Sequence, residues 1–96
     1  MKQPDFRLRV PDEVAALIRG MHPHLKKKVR ASLKLIMADP GEGKPLRDEL
    51  AGLRSFRVGK FRIIYAVKRN IIEIVAVGPR ERIYEKTYLL LKRGKK

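Results

Sequence analysis

Cysteine and tryptophan are absent from this 96-residue chain, histidine occurs twice, and only 10 acidic residues stand against 24 lysines and arginines. Without cysteine there is no disulfide framework and no thiolate metal site. No apolar run approaches the roughly 18–20 residues of a membrane span, and nothing near the N-terminus resembles a secretory h-region. A soluble, cytoplasmic protein with no membrane partner is therefore expected. His22 and His24 flank Pro23 in a stretch that reads as a loop between helices. With no carboxylate beside them they make a poor metal site, and a solvated turn is the plainer reading. Neither a metal nor a small-molecule cofactor is expected.

The shortage of acid leaves a formal net charge of +14. Self-repulsion of that size works against a compact monomer, and a polyanionic partner relieves it. Nucleic acid is the leading candidate, since phosphate contacts supply most non-specific affinity. A strongly acidic protein is the second, and the two do not exclude each other. The length suits one domain over residues 1–96, in which roughly 60–70% of the unfolded surface is buried.

Phe6 to Val10 alternate apolar and basic residues, as a strand with one buried face does. Pro11 then opens a helix with Asp12 and Glu13 in its first turn and Val14, Leu17, Ile18 and Met21 at helical spacing. His22-Pro23-His24 breaks it. A second helix is expected from about Leu25, with Leu25, Val29, Leu33, Ile36 and Met37 on one stripe and Lys26, Lys27, Lys28, Arg30 and Lys34 on the other face. Together they form an αα-hairpin. Asp39 to Pro45 is rich in backbone breakers and reads as a loop, and one irregular or helical turn around Leu46 and Leu50 leads on to Gly52. Three strands follow, at about Leu53–Val58, Lys60–Val67 and Ile71–Val77, with Gly78-Pro79 as a stop. The segment from Arg80 to about Arg93 suits a last helix with Tyr84, Tyr88 and Leu91 on one side, before the basic tail Lys92–Lys96. The fold class expected is α+β: a strand, an αα-hairpin, then a three-strand antiparallel meander and a short C-terminal helix.

The most telling stretch is Leu53 to Tyr65. Strand side chains alternate with a period of two, so Phe61, Ile63 and Tyr65 share one face and Arg62 the other, while Phe56 and Val58 oppose Arg57. Such a hairpin buries one face and holds guanidinium groups out on the other. The planar fork of arginine suits phosphate, so the hairpin suggests a site for a phosphodiester backbone. The sheet face carrying Arg57, Arg62, Ile64 and Ala66 is expected to stay at least partly open.

Three segments in order, Asp39-Pro40 with Gly43-Lys44-Pro45-Leu46-Arg47, Phe56 to Tyr65, and Val77-Gly78-Pro79-Arg80-Glu81-Arg82-Ile83-Tyr84, closely resemble the RelE/ParE superfamily of type II toxin–antitoxin toxins. The resemblance spans nearly the whole chain and is weaker for the branch. It implies a small toxin held inactive by an acidic, partly disordered antitoxin. RelE-type members cleave mRNA in the ribosomal A site, whereas ParE-type members poison DNA gyrase and lack the ribonuclease residues. It also implies site residues. Arg62 matches the arginine of the Gly-x-aromatic-Arg segment, Arg80 the arginine after the Gly-Pro stop, and Tyr84 the C-terminal aromatic, with Tyr88 as a substitute.

Metal-free RNA cleavage needs a group to take the 2′-hydroxyl proton, charge to stabilise the phosphorane and a donor for the leaving oxygen. Arg62, Arg57, Arg80 and Tyr84 are the candidate catalytic set. Arg62 suits phosphorane charge, Arg80 a second clamp or a donor, and Tyr84 base stacking. Their plain alternatives are an exposed strand arginine, an ion pair of Arg80 with Glu81 or Glu85, and a half-buried core-edge tyrosine. Arg54, Lys60, Arg82 and the helix lysines Lys26, Lys27, Lys28 and Lys34 are candidate RNA-backbone contacts, the helix lysines having a solvated face as their alternative. Such contacts position without reading sequence.

The chain departs from the RelE pattern by offering Arg54 and Arg57 where lysines are common. Arginine is a poor general base because it stays protonated. Lys60 sits at a solvated turn, Asp48 and Glu49 lie nearby, and Glu73 suits a pair with a neighbouring strand's cation, so no general base is assigned. A ribosome-dependent nuclease with ribosome, mRNA and a cognate acidic antitoxin as partners is the leading reading. A gyrase poison and a non-catalytic basic nucleic-acid-binding domain are its rivals.

Overall fold

Period-two alternation in the central strands gives the sheet two faces, and helices cover both unequally. The computed structural model describes residues 6–94, so the last two lysines of the basic tail lie outside the described residues. In chain order the elements are β1 (Arg7–Arg9), α1 (Asp12–Arg19), α2 (Pro23–Ala38), β2 (Lys44–Pro45), β3 (Leu53–Val58), β4 (Phe61–Lys68), β5 (Ile71–Pro79) and α3 (Ile83–Gly94). Single 3-10 turns at Pro40–Glu42 and Asp48–Leu50 bracket β2. The five strands lie in the order β1-β5-β4-β3-β2, with β1 parallel to β5 and the remaining pairs antiparallel.

The expected α+β layout is therefore present, with differences in detail. Pro23 does not separate the helices. It occupies the first turn of α2, where a missing N–H costs nothing, and the His22 Nδ1 accepts from the His24 backbone N–H at 3.2 Å to cap that helix. Gly78-Pro79 does not stop β5, which continues to Pro79 opposite Phe61. Residues Lys44 and Pro45, expected in a loop, pair with Ser55 and Arg54 as an edge strand. Proline is tolerated there because one side of an edge strand needs no donor.

On one face, α1 and α2 cover the larger core: Val14, Ile18, Val29 and Ile36 meet Val58, Ile63, Tyr65, Ile72, Ile74 and Val77. Each such aliphatic side chain contributes about 1.5–3 kcal/mol on burial. On the other face, α3 packs through Ile83 on Leu53, Ile64, Ala66 and Ala76, with Leu90 and Leu91 beside them. The inner stripe of α3 includes Ile83 and Thr87, both fully buried, whereas Tyr88 is exposed. A bulge matches the two faces. Ile64 pairs with Ala76 but Tyr65 with Ile74, so Val75 is an extra residue, and Val75 and Ala76 both serve the α3 side.

The face expected to stay open is thus closed by α3 over Ile64 and Ala66. It remains accessible at the end formed by the Gly59-Lys60 turn, where Arg57 is exposed and Arg62 is half-buried. Gly78 sets this boundary: a methyl group there would lie 3.1 Å from Ile83 Cδ1, so a larger residue would push the start of α3 off the sheet.

Candidate functional site: an arginine-lined sheet face

The β3–β4 hairpin turns through Gly59 at φ 60°, a left-handed conformation that glycine adopts without strain. This tight register places Arg57 directly opposite Arg62, and Arg62 directly opposite Gly78 on β5. Two like charges facing each other across a strand pair are unfavourable, and an anion between them reverses the sign. The Arg57 Nε donates to the Gly59 carbonyl at 3.3 Å, which folds its head back over the turn. Just past β5, the Arg80 N–H donates to the Lys60 carbonyl at 2.8 Å, bringing Arg80 to the same end of the sheet. The one ion pair among the described residues joins Arg9 and Glu73 at 3.8 Å, as Glu73's place opposite a cationic strand suggested. Arg80 therefore has no ion pair with Glu81 or Glu85.

One row further along, Ser55 is buried and ties the site together. The Arg62 Nη1 donates to Ser55 Oγ at 3.0 Å, and Ser55 Oγ lies 3.2 Å from the Tyr84 Oη on the first turn of α3. The Arg62 Nε is also buried, and it is the one buried side-chain nitrogen or oxygen among the described residues that lacks a hydrogen-bond partner. Leaving such a donor unmade is costly, and Arg62 is held in this position in spite of that cost. By register Lys44 stands beside Ser55 on the same face. With Arg47, Asp48, Leu46, Leu50 and Tyr84 it lines a cleft of about 780 Å³.

Of the residues expected in a site, Arg57, Lys60, Arg62, Arg80 and Tyr84 gather at this end, and Arg82 lies exposed in the turn before α3. The others lie elsewhere. Arg54 points to the α2 side, where its Nη1 donates to the Gly43 carbonyl at 2.6 Å and to the Gly41 carbonyl at 3.2 Å. Those bonds belong to a closed polar cluster. The buried Tyr65 hydroxyl donates to the Pro40 carbonyl at 2.7 Å and accepts from the Gly43 N–H at 2.8 Å. Burial raises the Tyr65 phenol above its ordinary value, opposed by the Gly43 bond and the Arg54 charge. Lys26, Lys27, Lys28 and Lys34 sit on α2, across the sheet from Arg62. Ser55 and Lys44 were missed by sequence reasoning. The available signal for Ser55 was its period-two spacing from Arg57.

The chain is thus a small basic protein of strand–αα-hairpin–sheet–helix fold with a cationic sheet face. The chain matches the model of the ParE toxin of the type II toxin–antitoxin system parDE over residues 9–84, and so belongs to that toxin family within the RelE/ParE superfamily. The solved RelBE2 toxin–antitoxin complex of Mycobacterium tuberculosis is similar at 26% identity and TM-score 0.70, covering 80% of this chain and 100% of that one. A mutant of the E. coli toxin RelE in the free state shares the fold at 14% identity and TM-score 0.72, covering 94% and 98%. The YoeB–YefM complex of Staphylococcus aureus does so at 21% identity and TM-score 0.63, covering 75% and 93%. No curated protein sequence gives a significant match.

Proposed function

We propose that this type II toxin is a metal-independent, ribosome-dependent endoribonuclease that cleaves mRNA in the A site. The observation that carries the reading is the half-buried Arg62 directly opposite Arg57 on one sheet face, with Tyr84 two hydrogen bonds away through Ser55. The likeness of the fold to RelE and YoeB supports it.

In this reaction the 2′-hydroxyl oxygen of the RNA attacks the adjacent phosphorus as its proton passes to solvent water, and the bond to the 5′-oxygen breaks as that oxygen takes a proton from water. The products are a 2′,3′-cyclic phosphate and a 5′-hydroxyl. Arg62 and Arg57 stabilise the negative charge that grows on the phosphorane oxygens, where pre-placed donors act most strongly. Arg80, held by the Lys60 carbonyl, serves as the second clamp or as donor to the leaving oxygen. Tyr84 stacks on a base, a contact of about 1–3 kcal/mol. None of the three arginines accepts a proton, so rate arises from positioning and charge stabilisation. Lys60 and Arg82 extend the phosphate path. The lysines of α2, on the far side, hold ribosomal RNA by charge alone.

A cognate acidic antitoxin completes the reading, since the similar structures include the RelBE2 and YoeB–YefM complexes. An amphipathic antitoxin helix lies on the sheet or on the α1–α2 hairpin and acts by covering Arg62 or by moving α3. If this chain binds no acidic protein encoded beside its gene, that part is wrong.

The second reading is a gyrase poison, favoured by the match to the parDE toxin model. Primer extension on an mRNA translated in a reconstituted system separates the two. Cleavage within A-site codons supports the nuclease. Intact mRNA together with lost supercoiling by gyrase supports the poison.

A further inference from the structure

We propose that Ser55 is a positioning residue that couples Arg62 to Tyr84, so that the phosphate clamp and the phenol act as one unit. This role rests on the nuclease reading above and is not among the assignments made there.

The argument begins with what each group can do. A guanidinium only donates, so in the 3.0 Å contact Ser55 Oγ is the acceptor. The Tyr84 Oη lies 3.2 Å from the same oxygen, and either hydroxyl can donate in that contact. The chain of hydrogen bonds runs from Arg62 through Ser55 to Tyr84. Successive hydrogen bonds polarise one another, so the charge on Arg62 is felt at the Tyr84 oxygen. Ser55 itself is fixed. It is only 2% exposed, lies in the middle of β3, and pairs across the ladder with the fully buried Ile64.

Geometry adds a second consequence. With Nη1 held by Ser55 and Nε buried, the Arg62 side chain is pinned. Without Ser55 the guanidinium could turn and Tyr84 would lose the contact that links α3 to the face of β3. Ser55 therefore organises a cation from one strand and an aromatic group from a helix 29 residues away in sequence.

The test uses Ser55→Ala, Ser55→Thr, Tyr84→Phe and the Ser55→Ala/Tyr84→Phe double variant of the full chain in single-turnover mRNA cleavage on ribosomes. Ser55→Ala is expected to lower the rate roughly 10–100-fold with little change in the concentration at half-saturation, the scale of a misplaced reacting group. Ser55→Thr, which keeps the hydroxyl and suits a strand, restores most of it. The double variant is no slower than the slower single one. Additive losses, or a Ser55→Ala rate equal to wild type, overturn the proposal.

If the wild-type chain does not cleave mRNA, the nuclease reading fails, and nitrogen-15 NMR of the Arg62 guanidinium decides the coupling alone. Separate Nη signals in wild type and Ser55→Thr that merge in Ser55→Ala support it. Signals unchanged by Ser55→Ala overturn it.

Discussion

The two faces of one sheet treat their polar groups in opposite ways. On the α1–α2 side, Tyr65 is buried yet fully engaged with the Pro40 carbonyl and the Gly43 N–H, and Arg54 is satisfied by two loop carbonyls. On the α3 side, Arg62 is tied at one nitrogen and buried without a partner at another, beside a second arginine that repels it. The first arrangement stabilises the fold by tying the loop to the sheet through Tyr65 and Arg54. The second leaves one buried donor unmade and sets two cations face to face, a repulsion that the proposed RNA phosphate would relieve. Cations of the same type in adjacent strands thus end up bonded to a loop or facing another cation according to which face alternation assigns them.

The comparison breaks hardest at Arg62. Arg62→Lys keeps the charge but loses the fork, and cleavage is expected to fall about 100-fold or more, the scale of removing a pre-placed oxyanion donor. The thermal midpoint should scarcely move, which calorimetry checks. On the closed face the effects appear in stability. A side chain at Gly43 would collide with the Tyr65 hydroxyl and ring. Gly43→Ala therefore disrupts the cluster and is expected to cost about 2–4 kcal/mol by urea unfolding.

Tyr65→Phe is milder, at about 1–3 kcal/mol, since it strands the Gly43 donor. It also carries a pH signature. The folded phenol is raised above its ordinary value of 10.0, so the folded state holds the proton more tightly. The stabilisation is complete below the ordinary value and is lost as pH rises through the folded one. Wild type should lose stability through that alkaline range more steeply than Tyr65→Phe does. The smallest effect belongs to the Arg9–Glu73 pair. It is largely solvated, so Glu73→Gln should change stability by less than about 1 kcal/mol and less still in high salt.

Much of this was legible in advance because it depends on local alternation. Arg57, Arg62, Phe61 and Ile63 fall on their observed faces from period two alone. What was not legible depends on pairing between distant segments. Lys44 and Pro45 become a strand only because Ser55 and Arg54 lie alongside, and two residues carry no periodicity of their own. The Val75 bulge puts neighbours on the same face, against simple alternation. Arg54 looked like a phosphate contact because its acceptors, Gly41 and Gly43, lie in a loop whose shape the residues do not announce. Ser55 was overlooked because its partners arrive from β4 and α3.

The most direct test of the account compares Arg62→Ala with Arg54→Ala, one substitution on each face, in primer extension on translated mRNA alongside urea unfolding. The account predicts that Arg62→Ala abolishes A-site cleavage while remaining as stable as wild type, and that Arg54→Ala cleaves normally but unfolds at lower urea. Undiminished cleavage by Arg62→Ala, with loss confined to Arg54→Ala, would contradict it.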